Sequence, residues 1–220
     1  MNLVECAIMN PITHALVGWT IARPLSSHRR DRLMITLAGI LPDIDGLGLP
    51  VEALTNGTHD WYSTWHHALT HNLTAAAALA AILTFIRRWG ERRQTSPQDD
   101  ARPPLGSIWL FLACLLSTHL HLLGDLIGSK GPDGDPWPVP YFAPFSDVTW
   151  VAPFQWEINA WPNFALTILL LTWAFRCAWR DGESPIGFIS TRADQSFVET
   201  LRQRFGNPTS IATDDIRPSC

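Results

Sequence analysis

Three long stretches of the chain are dominated by hydrophobic residues and contain no Asp, Glu, Lys or Arg. They are Trp61–Ile86, Pro103–Gly124 and Ile158–Phe175. No alternation of polar and apolar positions typical of a strand runs through them, so the pattern predicts helices. Two shorter segments with more polar interruptions, Pro11–Ala22 and Leu33–Leu49, precede them and are predicted to be interfacial or buried in protein.

The apolar stretches are long enough to raise the question of a membrane, because a helix crosses a bilayer with roughly 20 mostly apolar residues. If the five segments alternate across a membrane, 15 of the 16 Lys and Arg side chains fall on one side and Lys130 alone falls on the other. The positive-inside rule then predicts a multi-pass membrane protein with a cytoplasmic C-terminus. The alternative is a soluble helical bundle whose arginines are solvated at one end.

Composition narrows the class further. Charged residues make up 16% of the 220 residues, against roughly 25% in ordinary soluble domains. The 46% hydrophobic content excludes a disordered chain. A net charge of −4 gives no basis for a nucleic-acid partner, and four scattered cysteines support neither a zinc ribbon nor a disulfide scaffold. We therefore expect membrane lipids, and no nucleic acid, as partners.

Together these observations predict an all-α protein. We expect a membrane-embedded bundle of about five helices over residues 1–180, followed by a polar cytoplasmic tail over residues 181–220. Within the tail, Phe197, Leu201 and Phe205 recur every four residues, which predicts a short amphipathic helix over Arg192–Phe205.

Histidines and aspartates interrupt the apolar segments at spacings that suit a metal ion. His67 and His71 are four residues apart, as are His121 and Asp125, and residues at that spacing share one helix face. Histidine nitrogen combined with carboxylate oxygen suits Zn²⁺, Mn²⁺ or Fe²⁺ better than Ca²⁺. We therefore predict one to three divalent ions per chain, Zn²⁺ first, held by His14, Asp43, Asp45, His66, His67, His71, His121 and Asp125.

The predicted topology brings these ligands to one place. His14 opens the first segment, Asp43 and Asp45 close the second, the third opens with three histidines, and Asp125 closes the fourth. In an alternating bundle all of them lie at the charge-poor, non-cytoplasmic end. The prediction that these helix ends lie on one side comes from the distribution of arginines. The histidines were not used in that argument, so their gathering at one end is partly independent support for it. Polar residues inside apolar helices are costly and usually mark function or mutual pairing.

Some histidines are ambiguous or have an ordinary explanation. His66 and His67 compete for one ligand position. His119 and His121 diverge by about 200° on a helix, and His121 is favoured because it pairs with Asp125. His28 stands among arginines and is predicted to be a solvated loop residue.

The clusters resemble, in this order, the membrane-bound metal-dependent hydrolase family of YdjM type. The matching motifs are PITHALVG, AGILPDID, HHALTHN, HLHLLGD and APFSD, which together cover about two thirds of the chain. The match carries over His66 and His71, with His67 in place of the family's basic residue and Asn72 in place of its serine. That family is similar in turn to the zinc-dependent phospholipase C and P1 nuclease group, whose His-x-x-x-Asp pair His121 and Asp125 match.

The resemblance implies a protein of the bacterial inner membrane that carries out metal-assisted hydrolysis of a phosphoester of lipid or small-molecule type. By the predicted topology, the substrate enters from the non-cytoplasmic interface. The predicted catalytic residues are Asp45, as a general base outside the metal's ligands, and His66. The alternative is a non-catalytic membrane protein in which the same residues form a structural or transport site for a divalent metal. A hydrolytic site needs an open coordination position, whereas a structural site is closed.

Overall fold

The computed structural model describes residues 9–48, 54–55, 69–92, 103–131 and 134–208. Two short 3₁₀ helices cover Leu41–Leu47 and Pro185–Phe188. The described part contains no strand, only isolated bridges, which confirms the predicted helical class. The α-helices are α1 (Met9–Leu25), α2 (Arg29–Ala38), α3 (Leu73–Arg92), α4 (Ser107–Gly128), α5 (Trp161–Asp181) and α6 (Thr191–Phe205).

The second predicted segment is divided into two elements. α2 ends at Ala38 with Gly39 as its C-cap, and the 3₁₀ helix follows with Pro42 near its start. Proline has no backbone N–H and disfavours helical geometry in the residue before it, so an α-helix does not continue through this point. The resulting turn places Asp43 and Asp45 in the short 3₁₀ helix that follows α2 rather than along α2 itself.

The core lies among α1, α2, α3 and α4, and small residues allow these helices to approach closely. A Cβ atom added at Gly18 would lie 3.1 Å from the Cα of Thr36, and one at Gly39 would lie 2.9 Å from Ser117 Oγ. Both approaches are closer than ordinary van der Waals contact. The buried cluster comprises Ala22, Met34, Ile35, Ala38, Ala80, Leu83, Leu110, Ala113 and Cys114.

Two of the described helices, α3 and α4, are long and apolar enough to cross a membrane. α5 has similar length but is not among them, because polar residues near its ends, such as Asn163 and Arg176, lower its mean hydropathy. Five alternating spans and the orientation of the C-terminus remain predictions.

A buried network of charged side chains lies at the end of α3 remote from its N-terminus. Arg87 Nε donates to Asp31 Oδ1 at 2.8 Å, and Asp31 Oδ2 accepts from the backbone N–H of Leu105 at 2.7 Å. His28 is buried against this pair, with its ring 3.3 Å from Arg87 Nη2. The prediction of a solvated His28 is therefore wrong, because the residue caps α2 from inside the packed network.

The chain divides into two compact units, Met1–Thr167 and Ile168–Cys220. In the second unit, Val198 and Leu201 of α6 pack on Ala178, and Trp179 Nε1 donates to the Gly206 carbonyl at 2.8 Å. The amphipathic helix predicted over Arg192–Phe205 is thus present, and it begins one residue earlier. The predicted boundary between residues 180 and 181 stays a prediction.

Candidate metal centre

The centre is built first from α1 and α4. His14 Nε2 lies 3.2 Å from Asp125 Oδ1, and His121 Nε2 lies 2.9 Å from Asp125 Oδ2. The rings of His14 and His121 are in contact, with their centroids 3.9 Å apart and their planes tilted by 37°. His121 and Asp125 project from one face of α4 because they are four residues apart.

The 3₁₀ helix after α2 supplies the next carboxylate. Asp43 Oδ1 lies 3.6 Å from His121 Nε2. His14, Asp43, His121 and Asp125 each offer one ligand atom, and these four atoms all lie within 4.8 Å of one another. Ligand atoms of one tetrahedral ion have comparable separations, because each stands roughly 2.0–2.2 Å from the metal.

His71, two residues before α3, adjoins this group. Its Nε2 lies 3.1 Å from both Asp125 Oδ2 and His121 Nε2, while its Nδ1 lies 3.2 Å from Asp45 Oδ2. Burial alone would lower the pKa of His71, but side-chain hydrogen bonds to Asp125 and Asp45 raise it to about 9. A metal ion that took Nε2 as a ligand would therefore release a proton.

Two interactions fix the orientation of the imidazole rings. His121 Nδ1 donates to the Gly39 carbonyl at 2.9 Å, which leaves Nε2 facing the cluster. Asp45 holds Nδ1 of His71 in the same manner, and Thr70 Oγ1 donates to Asp45 Oδ2 at 2.7 Å. Such outer partners set the tautomer and direction of metal-binding histidines.

The residues present fit a divalent metal ion. Asp43 Oδ2 is buried and has no hydrogen-bond partner among the described residues, an arrangement that costs free energy unless another group satisfies it. Two imidazoles and two carboxylates form a donor set typical of Zn²⁺, Mn²⁺ or Fe²⁺. The Asp43 side chain is 14% exposed, whereas those of His121 and Asp125 are fully buried.

The structure brings together five of the predicted ligands: His14, Asp43, His71, His121 and Asp125. Asp45 contacts His71 rather than the four-residue group. His66 and His67 lie outside the described residues, so the choice between them stays a prediction. His119 bonds elsewhere, with Nε2 2.9 Å from the Tyr141 hydroxyl.

Sequence reasoning missed the residues that support the ligands. Thr70 belongs to the Thr70-His71 pair of the third motif, and Gly39 belongs to the AGILPDID motif. Gly124 adjoins Asp125, and a Cβ there would lie 3.0 Å from His14 Cε1. Their positions within the motifs could have drawn attention to these residues. The sequence alone does not show which histidine ring each of them contacts.

Comparison with known proteins assigns the family. A model of the YdjM inner membrane protein family matches residues 9–192. The chain belongs to this family. No curated protein and no solved structure shows a significant match. Membership indicates the inner membrane, and the matched range contains the whole cluster from His14 to Asp125.

In this YdjM chain, Asp45→Asn should lower metal affinity by about 10- to 100-fold, the usual effect of losing an outer hydrogen-bond partner at a metal site, because Asp45 holds His71 against the ligand Asp125. The variant keeps the shape of the side chain but removes the charge that faces Nδ1 of His71. Titration of metal-free protein with Zn²⁺ measures the effect. An unchanged dissociation constant would contradict a supporting role of Asp45 and His71 at the centre.

Gly124→Ala tests the fit of the His14 ring. The added methyl group would lie about 3.0 Å from His14 Cε1, so the ring has to shift from the position in which it bonds to Asp125. Alanine favours a helix over glycine by roughly 1 kcal/mol, and the YdjM fold should therefore persist. We expect about a tenfold loss of Zn²⁺ affinity.

The matched control is Gly106→Ala, where the added methyl group meets Trp109 Cδ1 at an ordinary 3.9 Å. Its Zn²⁺ affinity should equal that of the unmodified chain. Equal affinities in both variants would contradict the role assigned to Gly124.

Proposed function

We propose that this chain is a membrane-bound metal-dependent hydrolase that acts on a phosphoester. The observation that carries the proposal is the buried group of two histidines and two aspartates whose ligand atoms lie within 4.8 Å of one another. His14, Asp43, His121 and Asp125 would hold the ion, with Zn²⁺ the first expectation and Mn²⁺ or Fe²⁺ the alternatives.

A divalent ion bound there would supply an acidified water and polarise a substrate oxygen. The side chains would supply the rest. His71 Nε2 faces the cluster beside Asp125, where it can hold or release a proton, and Asp45 orients the ring through Nδ1. In this arrangement Asp45 acts through His71, in place of the direct general-base role that its position in the sequence predicted.

We further propose that the centre faces the non-cytoplasmic side of the bacterial inner membrane. The ligands come from the N-terminal part of α1, the 3₁₀ helix after α2 and the end of α4, and His71 stands just before α3. Arginines stand at the other ends, with Arg23 in the last turn of α1 and Arg92 in that of α3. This polarity supports a multi-pass chain with a cytoplasmic C-terminus.

One observation favours a non-catalytic metal site as the second candidate. Apart from Asp43, the residues of the four-member group are buried, with their side chains no more than 5% exposed. A closed site without a free coordination position is typical of structural metals. A substrate would have to approach the ion beside Asp43, the partly exposed residue of the group.

The deciding experiment uses the full chain purified in mild detergent and loaded with Zn²⁺ or Mn²⁺. Hydrolysis of p-nitrophenyl phosphate, bis(p-nitrophenyl) phosphate and phosphatidylglycerol micelles is measured beside the metal content. Hydrolysis that is lost with the metal in Asp43→Asn supports the proposal. Stoichiometric metal without hydrolysis of any of these phosphoesters favours the structural or transport site, and absence of metal overturns both.

A further inference from the structure

A cavity lies against α4, on a different face from the metal centre. Its volume is about 280 Å³, and α4 contributes His119, Leu122, Leu123 and Leu126 to its wall. These residues recur at helical spacing along one face. With 100° between successive residues, that face is turned well away from His121 and Asp125, so the cavity is separate from the centre.

The opposite wall comes from the segment that follows α4, and it is held in place by backbone hydrogen bonds. Val139 and Trp150 exchange both of theirs, at 2.8 and 2.9 Å. The Tyr141 carbonyl accepts from the Leu73 N–H at 2.9 Å, and Thr74 Oγ1 donates to the Ala143 carbonyl at 3.0 Å. The cavity is therefore formed by the fold itself, as ligand sites usually are.

The cavity is apolar although a histidine and a tyrosine line it. His119 Nδ1 lies 2.7 Å from the Leu115 carbonyl, and Nε2 lies 2.9 Å from the Tyr141 hydroxyl. A neutral ring with its proton on Nδ1 donates to the carbonyl and accepts from the hydroxyl. Both nitrogens are thereby satisfied, and the ring offers only carbon to the cavity. Water would find few partners there, since a buried water needs two to four polar groups.

The surroundings of the cavity indicate what fills it. α4 is one of the two helices able to cross a membrane. Leu116 and Leu123 stand on the same face seven residues apart and are 47% and 51% exposed. In a protein of the inner membrane such a face meets lipid hydrocarbon. The volume of about 280 Å³ lies just below the usual range of ligand sites, about 300–1,000 Å³, so it suits one hydrocarbon chain rather than a whole lipid.

We propose that this cavity binds one hydrocarbon chain of a membrane lipid. Leu123 stands at its mouth, Trp150 and Phe142 line the wall opposite α4, and the His119–Tyr141 hydrogen bond closes off the polar atoms. Binding of the chain removes the apolar wall of the cavity from contact with water, which is favourable. It needs no charged group. The proposal does not depend on hydrolysis at the metal centre.

The test uses the full chain in nanodiscs of phosphatidylethanolamine and phosphatidylglycerol that contain a phospholipid with a photoreactive diazirine on one acyl chain. After illumination, mass spectrometry of peptides locates the adducts. We expect several-fold more adducts on Leu123, Leu126 and Tyr141 than on Leu112 and Leu116, which lie on the same exposed face of α4.

Leu123→Trp fills the mouth of the cavity from an exposed position and should reduce these adducts several-fold. Leu116→Trp, at an equally exposed position outside the cavity, should leave them unchanged. The proposal is overturned if the adducts are spread evenly along the face, if Leu123→Trp has no more effect than Leu116→Trp, or if the chain does not enter the bilayer.

Discussion

Replacing His121 by alanine should remove nearly all bound divalent metal, whereas replacing His119 by alanine should remove none. The two histidines are two residues apart on α4, but His121 Nε2 faces Asp125 and Asp43, and His119 Nε2 faces Tyr141. A structural zinc site has an apparent binding free energy of about 10–16 kcal/mol shared by about four ligands. The loss of one ligand therefore corresponds to roughly 100-fold or more in affinity.

The measurement is metal content per chain by mass spectrometry, followed by the Zn²⁺ dissociation constant. Because His121 is buried, Asp43→Asn serves as a second variant that preserves shape. Its Oδ2 has no hydrogen-bond partner among the described residues, so the change should not disturb folding. Metal retained in both variants, or lost equally in His119→Ala, would refute this assignment of the centre.

The sequence alone predicted most of this centre because helix periodicity is a strong constraint. The spacing of His121 and Asp125 places both on one face of any α-helix, whatever the helix packs against. The distribution of arginines then predicted which ends of the helices share one side, and His14 and Asp43 fall at those ends in the structure. Neither inference needed a tertiary contact.

Details that depend on side-chain direction were beyond the sequence. Asp45 and Asp43 are two residues apart in a short 3₁₀ helix that the sequence did not predict. Only the fold shows that Asp45 turns to His71 and Asp43 to His121. The role of Gly39, whose carbonyl accepts from His121, likewise depends on the close crossing of α2 and α4.

The number of membrane spans shows another limit. Hydropathy is a property of composition, and it identifies α3 and α4. The early segments are shorter and mixed in polarity, and α2 carries a polar first turn with Asp31 buried in it. For such segments, the free-energy cost of placing a polar group in the membrane depends on whether another residue pairs with it. The sequence does not show whether such a partner is present.

The same dependence explains why the burial of His28 was mispredicted. Three arginines follow it closely, at positions 29, 30 and 32, and a dense run of charge ordinarily indicates solvent. The single acid in that run, Asp31, pairs instead with Arg87 from a helix more than fifty residues later. The sequence shows a lone acidic residue within a basic run, but it does not show which distant residue pairs with it.

Asp31→Ala should destabilise the protein strongly without changing its metal affinity. Removing Asp31 leaves the buried Arg87 paired only with Glu91 among the described carboxylates, and Glu91 is 30% exposed. Breaking a buried pair in this way costs about 3–5 kcal/mol, or roughly 6–20 °C in the midpoint of thermal unfolding for a chain of this size. Zn²⁺ affinity should stay constant because the network is far from the metal centre. Leu73, two residues after His71, begins α3, and Arg87 stands about 21 Å from it along the helix at 1.5 Å per residue.

Arg180→Ala is the control, since that side chain is 63% exposed and exposed pairs contribute little. The double variant Asp31→Leu with Arg87→Met should recover much of the loss, because no buried charge is left unpaired; a double variant as unstable as Asp31→Ala would show that the network acts through more than this pair.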